Sequence, residues 1–151
     1  MDANLTPLPP RPAGWHGRLY AWLLSIAGQP HVYGRHDCAL FIAGGVQAMH
    51  GVDLAETWRG RYTTWRGGLR ILRSAGYRDH LDLLARHARP VPPGAAQIGD
   101  VAVVDTPDHP ALGFVTGGQI QMLRSDGLVS LPLLIPGPEG VSRTAREVWR
   151  T

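Results

Sequence analysis

The 151-residue sequence predicts one α+β domain in which helices pack on an antiparallel sheet. In the first half of the chain, apolar side chains recur at the three- and four-residue spacing of amphipathic helices. After the prolines at positions 90, 92 and 93, short apolar or alternating runs follow one another between turns, as strands do. Helices that precede strands, rather than alternating with them, are typical of an α+β layer architecture.

Four helices are expected. In the first, Leu19, Trp22, Leu23 and Ile26 lie on one face, and a glycine and a proline follow its end. The second begins after Asp37, a favourable N-cap residue, and the third ends at a glycine C-cap. The predicted spans are 14–27, Cys38 to about His50, 63–74 and 81–87.

The second half of the chain predicts a sheet built from consecutive hairpins. Gly117-Gly118 and Asp126-Gly127 are typical hairpin turns, and each lies between two apolar runs. The predicted strands cover 100–105, 111–116, 119–123 and 128–131, and Val148-Trp149 is expected to add an edge strand.

Residues 1–13 form a proline-rich segment without periodicity, and residues 14–151 form the domain. We interpret the segment as an extended arm of the kind that docks on a neighbouring protein. It lacks the basic and apolar regions of a signal peptide, and no stretch of the sequence is apolar enough for a membrane span. The sequence therefore predicts no membrane anchor.

All 15 basic residues are arginine, and the formal net charge is +3. Five of them lie near three aromatic residues, a pattern that could bind phosphates or stack on bases. Arginines at helical spacing are more often a solvated face, and the sequence matches no nucleic-acid-binding module, so nucleic acid is not the expected partner. The residues are Arg59, Arg61, Arg66, Arg70 and Arg73, with Trp58, Tyr62 and Trp65.

Cys38 is the only cysteine, so the chain cannot form an internal disulfide. Its predicted place in the first turn of a helix exposes the sulfur to unpaired backbone N–H groups and to the positive end of the helix dipole. That position favours thiolate over thiol and predicts a nucleophile with a lowered pKa. The alternative is that Cys38 is a small buried apolar side chain.

Three segments carry a resemblance to a known family. Asp37-Cys38 opens an apolar helix, Ile98-Gly99-Asp100-Val101 begins a strand, and Leu112-Gly113-Phe114-Val115 is followed by Gly117. In this order the segments resemble the NlpC-type cysteine peptidases, relatives of papain that cleave peptide bonds in bacterial cell walls. The resemblance implies a papain-like fold, with N-terminal helices packed on a C-terminal antiparallel sheet. It implies Cys38 as the nucleophile and no cofactor.

Two further segments, Arg59-Gly60-Arg61-Tyr62 and Leu72-Arg73-Ser74-Ala75-Gly76, look like a branch of that family encoded in phage and prophage tail operons. The resemblance implies a tail-tip protein that is made in the bacterial cytoplasm and carried in the virion. Its partners would be the tail hub and other tail-tip proteins. Its substrate would be the peptidoglycan that is opened during DNA delivery.

The sequence departs from the family at the histidine that assists the nucleophile. The family reads histidine two residues before the strand glycine, and this chain has Ala111 before Gly113. His109 is the nearest substitute, as a displaced general base, and Gln121 on the next strand is the candidate that would orient its imidazole. Alternatively, His109 is a solvated loop residue and Gln121 an outward-facing strand residue.

The loop before Cys38 supplies the remaining candidates. His36 could donate a hydrogen bond to a transition-state oxyanion together with the backbone N–H of Cys38, and Tyr33 could line the cleft beside Asp37. With His31, this loop brings several metal-ligand atoms into one short stretch. Their spacing does not match a structural zinc site, so no metal is expected.

Two functions remain open from the sequence. The retained Asp37-Cys38 pair favours a cysteine peptidase or amidase that acts on cell-wall peptides. Alanine at position 111 favours a catalytically inactive NlpC-like protein that serves as a structural or docking subunit. Both hypotheses place the protein in the phage tail tip.

Overall fold

The computed structural model describes residues 5–151, and four α-helices lie in that part of the chain. All four occupy the positions that the sequence predicts. Asp37, Thr64 and Asp79 are the N-cap residues of the last three helices, and each side chain accepts a backbone N–H of the first turn. The helices are α1 (Trp15–Ile26), α2 (Cys38–His50), α3 (Trp65–Ser74) and α4 (His80–His87).

Eight strands follow in the described chain, six of them in one antiparallel sheet. They are β1 (Arg89–Val91), β2 (Val101–Val104), β3 (Ala111–Val115), β4 (Gln119–Arg124), β5 (Gly127–Pro132), β6 (Leu134–Gly137), β7 (Gly140–Arg143) and β8 (Glu147–Arg150). The sheet order is β1-β8-β2-β3-β4-β5, and β6 and β7 form a separate hairpin. The predicted α+β arrangement, helices first and strands after, is confirmed.

The last strand, β8, lies inside the sheet, whereas the sequence predicts an edge strand. β8 is not an edge strand, because Val148 pairs with Val91 of β1 on one side and with Ala102 of β2 on the other. Neither β1 nor the β6–β7 hairpin is predicted from the sequence. β1 contains Pro90, which an edge position tolerates, and every residue of the hairpin is exposed, so no alternating burial marks it.

α2 lies at the centre of the domain, and all but three of its 13 residues are buried. The sheet packs against it through Phe114, whose ring centre lies 5.4 Å from that of Phe41. Gly45 permits this approach because a Cβ there would overlap the Phe114 ring, and Gly44 does the same for Trp22 of α1. The two glycines thus hold α2 tightly between the sheet and α1.

The N-terminal arm, as far as it is described, lies along its own domain without regular secondary structure. The Thr6 N–H donates to the carbonyl of Arg86 in α4, and the Pro9 carbonyl accepts from His50 in α2. Arg11 donates to the backbone carbonyl and hydroxyl of the final residue. Docking of the arm on another protein stays a prediction, and residues 1–4 lie outside the described chain.

Candidate active site

The N-terminus of α2 is fixed by a carboxylate with three hydrogen bonds. Asp37 Oδ1 accepts from the Leu40 N–H at 3.0 Å, and Oδ2 accepts from the Gly34 N–H at 3.0 Å and from the Tyr62 hydroxyl at 2.6 Å. The residue is only 3% exposed. Because both oxygens are occupied, Asp37 is a capping group that holds the loop, the helix and Tyr62 together.

The loop before Cys38 is clamped by the Arg59–Tyr62 segment. The Gly60 N–H donates to the Gly34 carbonyl at 2.8 Å, and Gly34 has a φ of +80°. A Cβ on Gly34 would overlap the Tyr62 carbonyl, so both conformation and space require glycine there. The segment that carried the phage-branch resemblance therefore supports the loop that leads into Cys38.

Cys38 is buried, with 8% of its surface exposed. Burial, and to a smaller extent Asp37, raises the pKa of the thiol to about 12, while backbone hydrogen bonds from Leu112, Ala39 and Cys38 itself act in the opposite direction. The expected lowering of the pKa is wrong for this arrangement, because desolvation outweighs the helix N-terminus. The thiol is therefore neutral here.

Cys38 lines a cavity of about 70 Å³ between α2, α3 and α4, and its wall is mainly aliphatic and aromatic. Leu112 of β3 and Leu72 of α3 close it from two sides. Ligand pockets typically enclose about 300–1,000 Å³. The cavity beside Cys38 is therefore smaller than a typical ligand pocket.

His80, the first residue of α4, brings an imidazole to the same cavity and is 4% exposed. Its Nε2 lies 2.8 Å from the Pro110 carbonyl, which can only accept, so Nε2 carries the proton and Nδ1 is the acceptor. Nδ1 is buried and has no partner among residues 5–151. Burial lowers the pKa of His80, and the Pro110 hydrogen bond and the charges of Asp79 and Asp37 oppose this.

Sequence reasoning missed His80 and Tyr62 as site residues. A signal for His80 was present, because Asp79-His80 repeats the arrangement of Asp37-Cys38, an N-cap aspartate followed by a reactive side chain at the first helical position. Tyr62 carries no such local signal, since its hydroxyl meets Asp37 from 25 residues away.

Most of the chain matches one protein-family model. A family model described as a domain of unknown function (DUF6950) matches residues 10–138. The chain belongs to the DUF6950 family. The matched segment contains Cys38, Tyr62 and His80 and ends before β8. No curated protein sequence matches the chain.

His109 of this DUF6950 protein lies in the loop before β3 and outside the cavity wall. Its ring stacks on Trp65 with centres 3.9 Å apart, and its carbonyl accepts from the Thr106 hydroxyl. Ala111 packs with the apolar cluster on the sheet face away from α2, whereas Leu112 lines the cavity. A histidine side chain at position 111 would therefore point away from Cys38.

Gln121 is engaged within the sheet. Its Nε2 donates to Thr116 Oγ1 at 3.1 Å, and its Oε1 accepts from the Ser130 hydroxyl at 2.8 Å. It pairs with Phe114 across β3 and β4, so it shares the sheet face that α2 covers. Within the described chain, these hydrogen bonds do not link it to His109 or Cys38.

Tyr33 and His36 have different places around the helix start. Tyr33 lines the cavity, and burial, followed by the charges of Cys38 and Asp37, raises its pKa. The ring of His36 packs edge-on against Phe41, outside the cavity wall, with centres 6.5 Å apart. The cavity wall thus unites Tyr33, Asp37, Cys38 and His80, and leaves out His36, His109 and Gln121.

The Gly99-Asp100 step has a structural role in this fold. Asp100 is fully buried and accepts two hydrogen bonds from Arg150, at 3.0 and 2.8 Å, and one from the Gln97 N–H. Gly99 has a φ of +88°, and a Cβ there would crowd Met49. These residues join the start of β2 to β8 and do not reach the cavity wall.

The arginine and aromatic residues do not form one surface. Arg59 makes two hydrogen bonds to Asp53, while Arg66, Arg70 and Arg73 line an exposed groove along α3 together with Trp65. Across the residues with described positions, no three His, Cys, Asp or Glu side chains gather as a metal site would require. Over the same residues, none of the helices combines the length and the apolarity that a membrane crossing demands.

Proposed function

We propose that this DUF6950 protein is an NlpC-like cysteine hydrolase of a phage tail tip, in which Cys38 attacks a peptide or amide bond of peptidoglycan. The observation that carries the proposal is that Cys38, the first residue of α2, lines a cavity that also contains the imidazole of His80.

The first turn of α2 supplies the other groups that such chemistry needs. The backbone N–H groups of Cys38 and Ala39 lie beside the sulfur, where they would also stabilise an oxyanion on the attacked carbonyl. Asp37 holds that turn in place with three hydrogen bonds. The tail-tip location and the peptidoglycan substrate are supported by the resemblance to NlpC-type proteins of phage tail operons.

The arrangement around Cys38 corresponds to a resting state of the proposed hydrolase. Cys38 is covered, its thiol is neutral, and the cavity is too small for a peptide. α3 forms the outer wall and has no buried residue, so it is the element that moves when substrate enters. Displacing α3 would admit water and substrate, remove part of the desolvation penalty and lower the pKa of the thiol.

A second candidate function is a catalytically inactive NlpC-like subunit that docks in the tail tip. The observation that favours it is the raised pKa of the buried Cys38 thiol. In this case the thiol is inert and the fold serves assembly with the tail hub. Deleting residues 1–12 should then weaken co-purification with the hub protein, and unchanged assembly would exclude that role for the arm.

The two candidates differ in what they predict for purified peptidoglycan sacculi. We expect the full chain to release muropeptides, measured by liquid chromatography, and Cys38→Ala to release none while keeping the wild-type circular dichroism spectrum. Ser74→Ala, on the exposed end of α3, is the matched control and should keep wild-type release. Equal release by the wild-type protein and Cys38→Ala would rule out the hydrolase.

A further inference from the structure

We infer that His80 is the general base of Cys38, taking the place of the histidine that the chain lacks at position 111. This inference rests on the proposed hydrolase. The observation behind it is that a thiol and an imidazole, each at the first position of a helix that an aspartate caps, line one cavity.

Backbone groups before and within β3 lie next to each of the two side chains. His80 Nε2 donates to the carbonyl of Pro110, and the backbone N–H of Leu112 lies near the sulfur of Cys38, where it acts to lower the pKa of the thiol. Only Ala111 separates these two backbone groups. Residues two apart on a strand present their carbonyl and N–H groups to the same edge, so β3 holds both side chains at one edge.

The hydrogen bond to Pro110 also determines the tautomer of His80. With the proton on Nε2, the lone pair is on Nδ1, the atom that is buried without a partner in the described chain. His36 Nε2 is likewise buried without a partner in the described chain, but His36 lies outside the cavity wall, whereas His80 is part of it. An unpaired acceptor that belongs to the wall of the Cys38 cavity is suited to receive the thiol proton.

The neighbours of His80 suit a base that becomes charged during the reaction. The rings of Trp65 and His109 pack against it, and Asp79 and Asp37 supply negative charge that stabilises the imidazolium. His109 is positively charged only when it is protonated, and it would then oppose the charging of His80. Burial has the larger effect and favours the neutral imidazole, while the two carboxylates offset part of the cost of charging it.

The reaction balances with water as the only co-reactant. His80 Nδ1 takes the proton of the Cys38 thiol while the sulfur bonds to the carbonyl carbon of the amide. The carbon–nitrogen bond then breaks, the leaving nitrogen takes the proton from His80, and a thioester remains on Cys38. Water attacks the thioester with its proton passing to His80, and the departing sulfur recovers that proton, which leaves a carboxylic acid, an amine and the free thiol.

The first test replaces the imidazole by a neutral amide. His80→Gln retains a donor for Pro110 but is not basic at working pH, so muropeptide release should fall about 10²- to 10⁴-fold. The rate of Cys38 alkylation by iodoacetamide below pH 8, read by intact mass, should fall in parallel. His16→Gln, on the exposed face of α1, is the control for loss of a histidine and should match the wild-type protein.

Two results would overturn the role of His80. One is release by His80→Gln within about threefold of wild type. The other is loss of release in His109→Gln but not in His80→Gln, which would assign the base to His109. If the wild-type protein releases no muropeptides, the proposed hydrolase is wrong. If the alkylation rate of Cys38 below pH 8 nevertheless depends on His80, the interaction between His80 and Cys38 is still supported.

A measurement on the intact imidazole avoids any variant of His80 that folds poorly. The His80 ring proton resonances are titrated by nuclear magnetic resonance in the wild-type protein and in Cys38→Ala. If the two side chains interact, removing the thiol shifts the titration midpoint of His80. Identical titration curves would show that the groups are uncoupled and would contradict the inference.

Discussion

The floor and the cover of the Cys38 cavity are built differently. The floor consists of α2 and β3, and most of its residues are buried and joined by the contact between Phe41 and Phe114. The cover is α3, which has no buried residue. Both helices carry an N-cap side chain, Asp37 or Thr64, so local capping does not explain the contrast.

The difference lies in tertiary packing. α2 is enclosed by α1 and the sheet, whereas α3 has α4 as its main helical neighbour and leaves its arginine side exposed. Elements with few buried apolar contacts open at lower free energy than the rest of a domain. We therefore expect the floor to set the stability of the fold and the cover to set access to Cys38.

The largest effect is expected in the floor. Phe41→Ala removes a fully buried ring and should lower the free energy of unfolding by about 3–5 kcal/mol, measured by urea denaturation. Leu72→Ala is the matched change in the cover and should cost only about 1 kcal/mol, because Leu72 is half-buried. Similar losses for both variants would contradict the contrast between floor and cover.

The next effect concerns the junction between the loop and the floor. Tyr62→Phe removes the 2.6 Å hydrogen bond to Asp37, which keeps two backbone donors, so the expected loss in unfolding free energy is about 1.5 kcal/mol. Tyr20→Phe, on the exposed side of α1, is the control and should change the urea midpoint little. Equal midpoints for Tyr62→Phe and wild type would show that Asp37 needs no third donor.

A smaller effect is expected for a substitution in the cover, and it tests whether α3 limits access to Cys38. Thr64 accepts from the Gly67 N–H at 3.0 Å, and Thr64→Ala should destabilise α3 by about 1 kcal/mol. If displacing α3 limits access, the alkylation rate of Cys38 should rise about fivefold, since that is the matching change in an opening equilibrium. The Ser74→Ala protein should react at the wild-type rate, and an unchanged rate in Thr64→Ala would point to another route of access.

The smallest expected effect is a slope of stability with pH. Burial lowers the pKa of His36, His50 and His80, so the unfolded chain binds more protons than the folded one as the pH falls through about 6.5. The free energy of unfolding is therefore highest above pH 7 and decreases as the pH falls toward 5. His80→Gln should flatten part of this slope in urea titrations, and an unchanged slope would mean that His80 keeps its ordinary pKa when folded.

The helices could be predicted because their signals are local. Periodic apolar positions and N-cap residues lie within a few residues of each helix start, and the spans around Cys38 and His50 match the structure. The interior place of β8 could not be predicted, because Val148 pairs with β1 and β2, far away in the sequence. The β6–β7 hairpin was missed because it buries none of its residues.

For the site, too, local signals could be predicted and tertiary contacts could not. The N-cap rule located Asp37 and the start of α2, but it could not show that desolvation would raise the pKa of Cys38. Spacing from Gly113 predicts His109 as the general base, whereas the histidine that lines the cavity is His80 of α4. Spacing in the sequence identifies residues that are neighbours along one strand. It does not show that α2 and α4 line the same cavity, because tertiary packing determines that.

The interior position of β8 has a consequence for the order of events during synthesis. β1 and β2 do not pair with each other, because β8 fills the place between them, and Asp100 is buried against Arg150 of β8. While the ribosome is still making residues 147–150, the nascent chain holds an incomplete sheet with two unpaired strand edges. Pairings between distant segments form slowly, and unpaired edges favour aggregation. The sheet therefore cannot be completed until β8 has been made.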